Sequence, residues 1–387
     1  VSAPGWTGSR TVEAPLDALA DGPIDWALAE RVARAVAGRH PPVPGPHPSD
    51  DELAPMAVRA QEMVAAETGL RPPTPAHVRV IDRPTWAAAN VASFRVLLEP
   101  LAVRWRERMA GRAANATNRS VAAIGRRATA VELGLLLGWM AGRVLGQYDL
   151  LPAAGTADGE PAGSRAEDPD AVYLVGPNIA MLEQRFGFPP EEFRLWVTLH
   201  ELTHRAQFTG VPWMRGHYLG LVHRLLSAAD PDPAHLVAAL RELARQPGTA
   251  RTRLREGGLA AVIAPPAQRE ALEQVAGLMA LLEGHGDVTM NRAGSPEIPT
   301  ADRFARVLAE RRRRGTPLTR LVQQLVGIEA KLGQYRAGER FIAEIEAAAG
   351  PGAIDRCWRR PDDLPTWDEI REPSRWIERV TPHALEV

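Results

Sequence analysis

The segment Leu199-His200-Glu201-Leu202-Thr203-His204 constrains this chain more than any other, because two imidazoles four residues apart share one face if the segment is helical. Rings so placed can reach one cation, and the intervening carboxylate of Glu201 then lies beside the cation's open position, where it can take a proton from water. With ten histidines in 387 residues, a His-Glu-x-x-His match arises by chance in roughly one such chain in fifty. The flanks read as a helix. Pro189, Pro190, Glu191 and Glu192 suit its N-terminus, with φ pre-set and acids against the dipole, and Thr209-Gly210 before Pro212 suits its end. Phe193, Trp196 and Val197 precede the rings at helical spacing, so the face bearing His200 and His204 is expected to run into the interior.

A catalytic metal needs at least one further protein ligand. Cys357 is a lone cysteine and offers no thiolate cluster. The best candidates lie in Leu281-Leu282-Glu283-Gly284-His285-Gly286-Asp287, within a helix expected from about 266 to 290 whose apolar stripe runs Leu272, Val275, Ala276, Met279, Leu282. Glu283 falls beside that stripe, facing inward. Asp287 shares its face one turn on and can accept a hydrogen bond from the outer nitrogen of a ligating histidine. His285 is the rival ligand, but it points about 200° around a regular helix from Glu283, so the two cannot both bind one ion. Glu283 is preferred because it has a same-face partner, leaving Asp287 and His285 as supporting residues. Gly284 and Gly286 each cost about 1 kcal/mol in a helix relative to alanine. Close approach of the His-Glu-x-x-His helix is the expected reason; fraying of the helix there would instead free His285.

The Glu-x-x-x-Asp that follows the His-Glu-x-x-His helix resembles the gluzincin branch of the zincin-like metallopeptidases. The fuller pattern is similar to a bacterial family of zinc hydrolases associated with deazaflavin coenzyme biosynthesis. The matching stretches are Val80-Ile81-Asp82-Arg83, Asn90-Val91-Ala92, Leu145-Gly146-Gln147-Tyr148-Asp149, Pro177-Asn178-Ile179, the two metal motifs, Lys331-Leu332-Gly333-Gln334-Tyr335 and Leu364-Pro365-Thr366. The likeness spans about residues 76 to 380. It implies a mainly helical, zincin-like fold with a small β component. Two departures stand out: Gln207 and Gly210 occupy the positions where metzincins place Gly and His, and the gap from His204 to Glu283 is long for a gluzincin. An inserted helical segment carrying Trp213, His217, Tyr218 and His223 is expected to fill that gap.

Hydrophobic residues make up 45% of the chain without a clear interior linker, which favours one large unit of two lobes around a metal cleft. The expected division is a variable helical segment over 1–75 and a catalytic unit over 76–387. Within that unit, 76–226 carries the motif helix and 227–387 the third ligand. A net charge of −1 gives no pull towards nucleic acid or an anionic membrane, and no window has the apolar length of a membrane span. The opening residues lack a signal-peptide pattern and the single cysteine suits a reducing compartment, so a cytoplasmic protein is expected. Lys331 is the only lysine, which reads as the coding bias of a GC-rich genome.

Along the chain, a helix is expected within 11–40, then a polyproline-like connector from His40 to Pro48 and a second helix. Val78–Ile81 reads as a strand, 84–109 as a helix, and 119–147 as a long apolar helix at the centre. The Gly-, Ala- and Ser-rich run 153–170 reads as a loop. Ala171–Val175 is the clearest strand, one whose edge could pair with an extended peptide. Arg311–Arg314 suit a solvated helix end before Gly315.

Such a site predicts one Zn²⁺ held by His200, His204 and Glu283, with Glu201 as general base in the hydrolysis of a peptide or small amide. An oxyanion donor is then needed. Tyr335 is the first choice, with Lys331 on its helical face; Tyr218, His217 and His285 are alternatives, and Asn178 and Tyr148 are as open to structural roles. Two other classes compete: a non-catalytic binding or regulatory protein stabilised by a metal, and a di-iron carboxylate protein built on Glu201-Leu202-Thr203-His204. The absence of a second Glu-x-x-His weighs against the last.

Overall fold

The computed structural model describes residues 22–112, 116–151, 170–228, 266–313 and 328–380. The protein is built from helices around one small sheet. Helix α1 (Trp26–Ala37) begins at the Asp25 cap, whose carboxylate accepts from the Leu28 N–H at 3.0 Å. The proline connector then leads to α2 (Asp50–Thr68), capped by Ser49 and carrying three acids in its first turn. Strand β1 (His77–Ile81) passes through the Asp82 cap into α3 (Arg83–Leu97). The sequence over 84–109 reads as one helix, but the chain breaks it at Leu98 and restarts as α4 (Glu99–Arg112). Pro100 accounts for the break, since it lacks the N–H that would bond the Val96 carbonyl in a continuous helix and its ring would crowd that carbonyl.

Helix α5 (Ala116–Ala141) leads to β2 (Gly146–Tyr148), and β3 (Ala171–Val175) to α6 (Gly176–Phe186). The sheet has the order β1-β3-β2. β1 lies parallel to β3, in register from His77 against Ala171 to Ile81 against Val175, and β2 is antiparallel to β3, with Tyr148 against Val172. All five residues of β3 are buried. It is the central strand, hydrogen-bonded on both sides, so it has no free edge for a peptide; among the described strands β2 and β1 hold the edges. The run 153–169 lies outside the described residues.

The motif helix is α7 (Pro190–Thr209), with Pro190 in its first turn, Glu191 and Glu192 against its N-terminal dipole, and Gly210 at its end. α8 (Met214–Ala228) carries His217, Tyr218 and His223. Beyond them come α9 (Pro266–Gly294), α10 (Ala301–Arg313), α11 (Ile328–Ala349), two short 3₁₀ turns, α12 (Trp367–Arg371) and α13 (Pro373–Val380). α9 runs unbroken through Gly284 and Gly286, so the helix does not fray there. No helix among the described residues is long and apolar enough to cross a membrane.

Two cores hold these elements. The larger joins α2, β3, α7, α9 and α11, and its aromatic cluster sets Phe193 edge-on to Phe304 at 5.1 Å and Phe188 against both. The smaller is rich in alanine and joins α1, α3 and α5. There Gly134 and Gly138 let α5 approach α1 closely: a Cβ at Gly138 would lie 2.5 Å from the Cβ of Val36. Sequence alone places the 119–147 helix at the centre. α5 is instead peripheral, with one face on α1 and α3 and the other in solvent, because its small residues fit a single neighbour closely and nothing among the described residues covers the rest.

Candidate metal centre

α7 is buried almost all round, and its polar side chains are held by specific partners. Arg194 is bonded by both carboxylate oxygens of Glu183, at 2.8 and 2.9 Å. Arg205, fully buried, donates to Asp170, to Gln61 and to the Thr74 carbonyl. Asp170 in turn accepts from the Tyr148 hydroxyl at 3.0 Å, so the helix and β2 are tied through one carboxylate. Burial and then Asp170 raise the Tyr148 pKa above its ordinary value. Several stretches outside the metal motifs also serve to tie elements together. Asn178, fully buried, accepts from Arg83 Nε at 2.7 Å and donates to the carbonyls of Ala141 and Val144, fixing the turn that delivers β2. Asn90 bonds Gln147 at 3.0 Å.

On this frame α7 and α9 bring three donors together. His200, His204 and Glu283 each present one ligand atom, all within 4.8 Å of one another. The two Nε2 atoms are 3.2 Å apart, and His204 Nε2 lies 3.7 Å from Glu283 Oε2. Bonds of about 2.0–2.1 Å from a tetrahedral ion place its ligand atoms about 3.3 Å apart, so the spacing fits a small divalent cation. Two imidazoles and a carboxylate are also the donor set of a catalytic site with an open position. Among the described residues no other group of three His, Cys, Asp or Glu side chains meets the same test.

The tautomers follow from Gln207, which is fully buried. Its Nε2 donates to the Leu282 carbonyl at 2.8 Å, which fixes the amide orientation, and its Oε1 then accepts from His204 Nδ1 at 3.0 Å. The His204 proton is therefore on Nδ1, and a neutral ring turns the Nε2 lone pair towards the donor cluster. Burial pulls the His204 pKa down, but the charges of Glu283 and Glu201 outweigh it and the ring sits above its ordinary value. Gln207 Nε2 also meets His285 Nδ1 at 3.0 Å. His285 packs edge-on against Trp358 at 4.8 Å and stands outside the donor cluster. Burial, then the neighbouring cations, push its pKa down to about 3, so it is the neutral acceptor that Gln207 requires.

Asp287 is half-buried and its charge acts on His204, but the His204 Nδ1 bond is made by Gln207. The glycines divide their work. A Cβ at Gly286 would meet the His204 and His200 rings at 3.4–3.9 Å, so this glycine does face the motif helix. Gly284 faces α11 instead, where a Cβ would lie 2.4 Å from the Gly338 carbonyl carbon. Gln207 is the functional residue that the sequence reading passes over, although its position three residues after His204 puts it on the same helical face.

Glu201 lies against β2. A Cβ at Gly146 would come within 2.5 Å of Glu201 Cγ, and the Tyr148 backbone N–H donates to the carboxylate. Burial raises the Glu201 pKa to about 7; His204 opposes the shift and Glu283 adds to it. Above these residues opens a cleft of about 290 Å³ lined by Gly146, Gln147, Tyr148, Leu150, His200, Glu201, His204, Phe208, Tyr218, Met279, Leu282 and Glu283. Of the candidate oxyanion donors, the cleft includes Tyr218, whose ring meets Phe208 edge-on and whose pKa burial raises. His217 meets Trp213 edge-on at 5.8 Å. The backbone of α11 carries Lys331 and Tyr335, whose side chains lie outside the described residues.

A crystal structure from Chloroflexus aurantiacus, of a protein provisionally assigned as a hydrolase and described as having a novel fold, is similar with a TM-score of 0.64 and 30% identity. The match covers 92% of this chain and 98% of that one. Comparison with curated proteins gives no match. Neither result bears on deazaflavin coenzyme biosynthesis. The family model for zincin-like metallopeptidases matches residues 24–377, and the chain belongs to that family.

Proposed function

We propose that this protein is a zinc-dependent hydrolase that cleaves a peptide or related amide bond. One Zn²⁺ is held by His200, His204 and Glu283, with Glu201 as general base. The observation that carries this reading is the convergence of three donors from two helices, with a fourth, buried carboxylate set beside them in the same cleft. When bound, zinc supplies Lewis acidity, which polarises a carbonyl and lowers the pKa of water to about 7.

The remaining work falls to the chain itself. Gln207 keeps the His204 lone pair directed inward. Glu201, pressed against Gly146 and held by the Tyr148 N–H, accepts a proton from the attacking water and returns it to the leaving nitrogen. Tyr218, kept protonated by burial, offers an O–H to the developing oxyanion. β2 supports a peptide substrate. Its bonds to β3 include Val175 N to Leu145 O and Asp149 N to Ala171 O, so the backbone of Gly146 and Tyr148 faces the other way, on the edge that lines the cleft; with the Tyr148 N–H given to Glu201, the Gly146 N–H and the two carbonyls remain for a substrate.

The test is turnover of a panel of peptides and N-acyl amides by the wild type and Glu201→Gln, with metal content measured in both. Glu201→Gln is expected to keep its zinc and lose about 10²–10⁴-fold in rate. Full zinc with turnover unaffected would overturn the assignment of Glu201, and full zinc with no turnover in the wild type would favour a metal-stabilised binding protein.

A further inference from the structure

Helix α5 turns a regular apolar seam towards solvent. Val121, Ile124, Ala128, Val131 and Leu135 recur at alternating steps of three and four residues, the spacing by which two helices interlock side by side. The four larger side chains are exposed by 65, 69, 36 and 49%, in chain order. The described part of the molecule exposes large apolar side chains at seven positions, and this seam holds Val121, Ile124, Val131 and Leu135 among them. The opposite face of the helix, with Ala130, Leu137 and Ala141, is spent on α1 and α3. An aligned apolar stripe in water is unfavourable for a monomer and marks an interface.

The charges beside the seam say what fits it. Arg127 borders one flank and Glu132 the other, and both are exposed. In a parallel pair of identical helices each flank meets the opposite flank of its neighbour, so Arg127 faces Glu132 of the second copy, five residues further on, twice about the two-fold axis. An antiparallel pair turns each flank towards the same flank of its neighbour, so Arg127 and Glu132 would not meet. The pattern is self-complementary in one orientation only. From Val121 to Leu135 the seam is about 21 Å long, short for two free peptides. Here each helix is already folded against α1, so association orders no backbone.

We propose that α5 is the seam of a parallel, two-fold dimer of this chain, closed by Val121, Ile124, Val131 and Leu135 and flanked by Arg127–Glu132 pairs between the copies. Sedimentation velocity on the full chain across a dilution series tests it, with circular dichroism as the control for folding. The wild type is expected to dimerise, and Ile124→Glu with Leu135→Glu to be monomeric with an unchanged spectrum. Arg127→Glu alone should weaken the dimer by roughly two- to fivefold for each pair it breaks, and the charge swap Arg127→Glu with Glu132→Arg should restore it. If the double glutamate variant fails to fold, the swap alone decides. A wild type that stays monomeric at every concentration, a dimer indifferent to the seam substitutions, or a swap that fails to rescue the single variant would each overturn the proposal.

Discussion

Helices α7 and α5 both read as apolar helices in the sequence, and they end in opposite circumstances. α7 is enclosed on nearly every side; α5 is covered on one. The difference lies in what each carries besides apolar residues. α7 brings Arg194, Arg205 and Gln207 inside, and each fixes the helix against a specific neighbour: Glu183, Asp170 and the Leu282 carbonyl. A buried polar group without its partner is costly, so these bonds allow α7 few alternative positions. α5 relies on glycine and alanine, which permit close approach to α1 but specify nothing on its outer side. Polar partners thus fix where the metal-bearing helix sits. Apolar content alone does not.

Removing the lock on α7 should have the largest effect. Arg205→Met strands Asp170 and the Thr74 carbonyl, and is expected to cost about 3 kcal/mol in urea denaturation, near the low end for a buried pair because Asp170 keeps some access to water. The matching change on α5, Arg127→Met, measured at a dilution where the chain is monomeric, should stay within about 0.5 kcal/mol, since that side chain is exposed in the single chain. Equal losses at the two positions would erase the distinction. Gln207→Leu comes next: it frees the His204 ring and removes a bond between α7 and α9, and chelator competition should show metal affinity lower by about 10–100-fold. Unchanged affinity would reduce Gln207 to packing.

The glycines of α5 sharpen the comparison at smaller scale. Gly138→Ala forces a methyl to within 2.5 Å of the Val36 Cβ and 2.8 Å of the Ala33 carbonyl, and should cost about 1–3 kcal/mol. Gly125, with open space where its Cβ would be, should respond to alanine with a gain of about 0.5–1 kcal/mol. Melting curves of the two variants should therefore move in opposite directions.

What could be read from the sequence divides along the same line. Periodicity and end signals were enough for α7 and α9, and the same-face argument that separates Glu283 from His285 agrees with a cluster that contains Glu283 and leaves His285 bonded to Gln207. These are properties of single helices. Gln207 was not legible, because a glutamine one turn after a histidine looks like any polar helix position until α9 crosses it. Gly284 announced a close approach without naming Gly338 as the neighbour, and Arg83 gave no hint of Asn178, far along the chain. Such pairings depend on how elements meet. The break at Leu98 is different: Pro100 was visible, and the helical hydrogen bond it removes is local.

The central claim is that α7 and α9 close around one ion. It is tested most directly by measuring bound metal per chain in the wild type and in Glu283→Ala, with circular dichroism to verify the fold. The account predicts one zinc in the wild type and none in the folded variant. A variant that holds zinc as fully as the wild type would contradict it.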